Sequence, residues 1–167
     1  QEVLVPMAKQ LLEDDPGIVL FVTNAVDAAI LAKLVRMQKP KVLVGTSEWA
    51  GTERLIELGG KFIEGAIVPQ YIDRESTEEN YRTFHANFVN RFKQEPGFPG
   101  LISYNVTRVV IDRIKNKANG TDLKEAILEQ GTFPGVQGKV QFDEYGDATS
   151  KTYITEVIDG RFVVQSK

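Results

Sequence analysis

The 167-residue chain contains no cysteine, one histidine, one tryptophan and two methionines. Without cysteine there is no disulfide framework, no thiolate nucleophile and no sulfur ligand for a metal. A single histidine, His85, leaves no Cys–His pair and little basis for a serine triad. Apolar runs extend over only a few residues, far short of a bilayer span. Neither sign of charge gathers into a block, and the net charge is −3. That argues against a nucleic-acid surface or a polybasic membrane patch. Phosphate loops are missing as well, since "GTSEWAG" has neither the lysine nor the glycine spacing of a nucleotide fingerprint. "DEYGD" offers too few spaced oxygens for an EF-hand. The sequons at Asn105 and Asn119 are short enough to arise by chance. No cofactor, metal site or enzymatic constellation is predicted.

What remains is a chain with 42% hydrophobic and 26% charged residues, which supports a packed core in one ordinary domain or two small lobes. It begins at Gln1, without an initiator methionine or the regions of a signal peptide, and "VLVPMAKQLL" at 3–12 already reads as a helix. The sequence therefore reads as a piece of something longer.

The first half alternates. "GIVLFVT" at 17–23 is a continuous apolar run of strand length, which predicts a strand buried on both faces. The next segment has helical spacing through Met37, with Asn24 as N-cap and Asp27 in the first turn. "KVLVG" at 41–45 is a second strand, "TERLIELGG" a short helix and "IEGAIVP" a third strand. Strand, helix, strand, helix, strand implies parallel pairing with right-handed crossovers. The second half is helical: about 78–93, capped by Ser76 or Thr77 and striped by Tyr81, Phe84, Phe88 and Phe92, then 101–117, then 122–130 capped by Thr121. His85 sits beside the stripe, where a structural role is favoured. An isolated strand follows at 139–142, and a closing hairpin turns at Asp159-Gly160, suited to type I′.

Two lobes account for this order. Residues 1–70 form one, 71–141 the other, and 142–167 return to the first, with the strand 139–142 as the return crossing. Sheets with unpaired edges would make the fragment prone to dimerise.

Three ordered blocks carry a family resemblance: "GTSEWAGTERLIELGGKFIEG", "EPGFPGLISYNVTRVVID" and "GTFPGVQGKVQFDEYGDATSKTYITEVIDGRFV". Together they resemble type I periplasmic binding proteins, in particular the branched-chain amino acid (Leu/Ile/Val) receptors of ABC transporters, over their C-terminal half. The resemblance implies an α/β fold of two lobes joined by crossovers, here near Pro69–Asp73 and Gln141–Tyr145, with a small amino acid or related carboxylate held between them. It further implies a membrane permease as partner and a periplasmic or extracytoplasmic location, with or without a lipid anchor. A cytoplasmic amide or amino-acid sensor on the same fold is the alternative, followed by a flavodoxin-like enzyme.

Ligands of open parallel sheets bind beyond the carboxyl ends of the strands. Here those ends are Thr23-Asn24-Ala25 and Thr46-Ser47-Glu48-Trp49. Asn24 stands where leucine-type receptors offer an aromatic, and it also suits a plain helix cap. By the resemblance, Glu48 receives the ligand ammonium with Ser47 beside it; it reads equally as a solvated loop acid. Trp49 lines the site or packs on its own lobe. Phe98 or Tyr104 supplies an aromatic from the helical lobe, or belongs to the core.

Overall fold

The computed structural model describes residues 3–165. In chain order its strands are β1 Ile18–Phe21, β2 Leu43–Thr46, β3 Ile67–Gln70, β4 Thr132–Pro134, β5 Lys139–Phe142, β6 Ala148–Thr149, β7 Tyr153–Ile158 and β8 Arg161–Val164. The helices are α1 Leu4–Gln10, α2 Ala25–Gln38, α3 Glu53–Gly59, α4 Glu79–Phe92, α5 Phe98–Asn116 and α6 Leu123–Gln130. These elements fall into two compact units. One runs through Arg74 and resumes at Thr152; the other is Glu75–Lys151.

The first unit holds a five-stranded sheet in the order β1-β2-β3-β7-β8. β1, β2 and β3 are parallel, as alternating strands and helices require, while β7 joins β3 antiparallel and turns into β8. Asp159 and Gly160 both have positive φ (51° and 68°), as a type I′ turn demands. The Glu64 carboxylate accepts from the Asp159 amide at 2.6 Å and fastens that turn. Val19, Phe21, Val44, Val68, Val157 and Phe162 are buried with Ala28, Leu31, Ala32, Val35 and Leu55 of α2 and α3. Alanines at the contact let a helix lie close to the strands.

The expectation that the 17–23 run is buried on both faces is corrected. β1 alternates, with Val19 and Phe21 inward and Ile18 and Leu20 exposed. The core gathers on one face only, so strand alternation leaves every second residue in solvent.

The second unit holds α4, α5, α6 and an antiparallel sheet in the order β4-β5-β6. The strand at 139–142 is therefore the middle of this sheet, paired with Thr132–Pro134 on one side and Ala148–Thr149 on the other. It is not a return crossing. "DEYGD" is the turn that lets β6 fold back: the Asp143 carboxylate accepts from the amides of Tyr145 and Asp147, both at 2.9 Å. The chain resumes its place in the first unit only at Thr152, and it leaves that unit after Arg74 rather than at residue 70.

Helix starts also differ from the reading. Asp122, not Thr121, caps α6 by accepting from the Lys124 amide. Glu78 occupies the cap of α4, with Ser76 Oγ accepting from its amide at 3.3 Å. α5 begins at Phe98 because Gly97 is extended and Pro99 suits the first turn. Along α4, Tyr81 and Phe84 are buried but Phe92 is exposed. His85 pairs with Glu95 at 2.6 Å, which is the structural role expected of it.

Candidate functional site

β1 and β2 run side by side with Phe21 opposite Thr46, so the loops that follow them emerge together at the carboxyl edge of the sheet. The Ser47 amide donates to the Phe21 carbonyl at 2.9 Å, and its hydroxyl reaches the Thr23 carbonyl at 3.5 Å. Ser47 thus ties the second loop to the first. Asn24 follows Thr23 and caps α2: Oδ1 accepts from the amides of Val26 (2.9 Å) and Asp27 (3.1 Å), and Nδ2 donates to the Asp27 carboxylate.

Glu48, Trp49 and Ala50 form one 3₁₀ turn. Glu48 is half-buried, and among the described residues its carboxylate has no hydrogen bond or ion pair. Trp49 is 72% exposed, so it does not pack on its own unit. The structure therefore gathers Asn24, Ser47, Glu48 and Trp49 along one sheet edge. They supply a hydroxyl, an amide, an unpaired carboxylate and a solvent-facing indole.

A buried network behind this turn escaped the sequence reading. Gln70, at the carboxyl end of β3, is 1% exposed. Its Nε2 donates to the Gly51 carbonyl at 3.0 Å, and its Oε1 accepts from Arg74 at 2.6 Å. Arg74 also donates through Nε and Nη2 to one Glu53 oxygen (3.0 and 2.9 Å), and its guanidinium lies 4.7 Å from the Phe162 ring centre. The network brackets the 48–50 turn from its downstream side. Gln70 and Arg74 are four residues apart, but their partners Gly51 and Glu53 lie 19 and 21 residues away, beyond any local pattern; the one sequence signal is a polar Gln70 ending an apolar strand.

Phe98 and Tyr104 belong to the second unit. They are six residues apart on α5, about 240° around the helix, so they face different directions. Tyr104 packs against Phe84 (5.0 Å between ring centres), and with Phe84, Asn87, Phe88, Arg91 and Phe92 it lines a pocket of about 190 Å³. Phe98 is half-buried at the start of the helix. Elsewhere in this unit, a hydrogen bond from the adjacent Arg113 holds the Asp112 carboxyl below its usual range.

The chemistry on the sheet edge suits binding rather than bond-making. The Ser47 hydroxyl turns to a backbone carbonyl, not to a base, and His85 is engaged with Glu95 in the other unit. Among the described residues no three of His, Asp or Glu converge as a metal site, and no helix is long and apolar enough to cross a membrane.

No protein-family model matches the chain, and no curated protein matches it. Solved structures do. The leucine-binding protein LivK of Thermotoga maritima superposes with a TM-score of 0.84 at 19% identity, over 96% of this chain and 47% of its own. LivJ of Streptococcus pneumoniae, solved with isoleucine, gives 0.82 at 12% identity, over 94% of this chain and 46% of its own. A benzoate-bound solute-binding protein of an ABC transporter from Rhodopseudomonas palustris gives 0.76 at 15% identity, over 98% and 45%. The chain thus spans about half the length of these structures, and over that half it has the type I periplasmic-binding fold of the branched-chain amino acid receptors.

Proposed function

We propose that this chain is part of an extracytoplasmic solute-binding receptor of an ABC transporter. The observation that carries the proposal is the unpaired Glu48 carboxylate on the sheet edge where this fold places ligands, beside Ser47 and Trp49. A small amino acid or related carboxylate is held between two hinged lobes, and lobe closure presents a surface to a membrane permease. Glu48 takes the ligand ammonium, Ser47 and the backbone around Asn24 offer polar contacts, and Trp49 covers an apolar side chain. The other lobe contributes an aromatic, Phe98 or Tyr104. Residues through Arg74 with those from Thr152 make one lobe, and Glu75–Lys151 belongs to the other. The location that goes with this role is the periplasm or cell exterior, with or without a lipid anchor.

Trp49 is the one tryptophan of these 167 residues, and its fluorescence reports on this edge. In the full-length receptor, titration with leucine, 4-methylpentanoate and benzoate should give a saturable blue shift of the Trp49 emission with at least one of them as the exposed indole loses water. A response to leucine that Glu48→Gln abolishes assigns the ammonium to Glu48. A response to all three that ignores Glu48→Gln assigns the site to plain carboxylates. No saturable change with any of them at millimolar concentration refutes the site.

A further inference from the structure

We propose that Asn119–Gly120, in the turn between α5 and α6, is a self-modification site that deamidates to aspartate and isoaspartate, with water as its co-reactant. Asparagine is among the thermolabile residues, and glycine is the follower that hinders it least, having no Cβ beside the attacking nitrogen. Every other asparagine of the sequence precedes a residue with a side chain. Asn24 and Asn105 are also engaged: the Oδ1 of one accepts from the Val26 and Asp27 amides, and that of the other from the Val136 amide at 3.0 Å. Asn119 and Gly120 are both exposed. Among the described residues neither the Asn119 side chain nor the Gly120 amide has a hydrogen bond.

The backbone favours the reaction. The Thr121 amide donates to the Ala118 carbonyl at 3.2 Å, which closes a turn with Asn119 and Gly120 at its centre. Gly120 has a φ of 85°, as the third residue of a type II turn does, and such a turn leaves that residue's amide outside its own hydrogen bond. The Gly120 nitrogen attacks Asn119 Cγ; the N–Cγ bond forms, the Cγ–Nδ2 bond breaks and ammonia leaves. Water then opens the cyclic imide at either carbonyl, giving aspartate or, with the main chain rerouted through Cγ, isoaspartate. Asp159–Gly160 could close the same ring, but Glu64 accepts from the Asp159 amide at 2.6 Å and from the Gly160 amide at 3.4 Å. The nucleophile is thus tied at the hairpin and untied at 119–120. Conversion is not silent. Lys117 Nζ donates to the Thr121 carbonyl at 2.6 Å and Asp122 caps α6, so the extra main-chain carbon of isoaspartate enters the loop that this bond closes, just ahead of the cap.

Incubating the full-length protein for several weeks at about 37 °C in mildly alkaline buffer tests the proposal. Trypsin releases residues 118–124 as one fragment, because Lys117 and Lys124 flank the turn. By mass spectrometry that fragment should gain about 1 Da and separate into aspartate and isoaspartate forms. Gly120→Ala should slow the change about 10-fold, because the methyl crowds the attacking nitrogen. Asn119→Gln, which leaves the turn backbone unaltered, should yield no isoaspartate in the fragment. Labelling by an isoaspartate methyltransferase should mark position 119 in the folded protein and position 159 only after unfolding in urea. A fragment 118–124 that stays unchanged overturns the proposal, and so does a Gly120→Ala protein that reacts at the parental rate. Equal labelling of positions 119 and 159 in the folded protein overturns the role given to the untied amide.

Discussion

Substitution of Gly51 by alanine tests whether the buried Gln70 holds the turn that carries Glu48. Gly51 has φ −72°, outside the left-handed region that favours glycine, so the contact met by an added Cβ is the main effect. A Cβ built there would lie 2.1 Å from Gln70 Nε2, far inside van der Waals contact. That nitrogen cannot yield cheaply. It donates to the Gly51 carbonyl, and the same amide accepts from Arg74, inside a region closed to water. Either the side chain swings away or the turn is pushed outward. The first route loses a hydrogen bond to a charged group, about 1.5–3 kcal/mol; the second is overpacking, about 1–3 kcal/mol. The chain takes the cheaper route, so the expected loss is about 2 kcal/mol, or about 4–8 °C in Tm for a chain of this size. Differential scanning calorimetry reads that shift, and Trp49 fluorescence reads any displacement of the turn two residues upstream. Gln70→Ala removes the atom that clashes. In its background Gly51→Ala should therefore cost less than about 0.5 kcal/mol, a coupling that a double-mutant cycle detects. A Gly51→Ala variant melting within about 2 °C of wild type, or strict additivity in the cycle, would refute this reasoning.

Other expectations are briefer. In the full-length receptor, Glu48→Gln should weaken amino-acid binding by roughly 10- to 150-fold while leaving a deaminated analogue unaffected, as calorimetric titration of both ligands would show. Asn24→Ala removes an acceptor for two amides of α2 and should destabilise the first unit by about 0.5–2 kcal/mol in urea unfolding. The Asp112 carboxyl lies below its ordinary 3.8 in the folded chain, chiefly through its hydrogen bond with Arg113. Its stabilising effect is thus complete above about pH 4 and lost as pH falls through the depressed value. Melts of Asp112→Asn should run below wild type at neutral pH and converge on it under acid; a constant gap would contradict the sign.

Much of the first unit was legible because its signals are local. Strand-length apolar runs separated by helical spacing dictated the parallel β1-β2-β3 order, Asn24 announced a cap, and Asp159-Gly160 announced a hairpin. The small sheet of the second unit was not legible. β4 has three residues, including Pro134, and β6 has two, too few for a period-two pattern to register, so β5 looked isolated. Residues 17–23 misled for a different reason: their composition reports burial on two faces, while the structure covers one. At the candidate site, strand polarity was enough to locate Asn24, Ser47 and Glu48. The Gln70–Arg74–Glu53 network depends on side chains that meet only after the sheet has formed, and no spacing rule encodes it.

The arrangement of the units in the chain has a consequence for synthesis. β3 ends at Gln70, whose sheet partner on β7 is Tyr153, yet all of Glu75–Lys151 intervenes between them. On the ribosome, three parallel strands and their helices emerge while the seat for β7 stays empty. At about 5–20 residues per second that wait lasts roughly 4–15 s, long compared with the folding of a small domain. Throughout it the open side of β3 has backbone groups but no strand to receive them, so the yield of native chain depends on how quickly the interposed unit is made and folded.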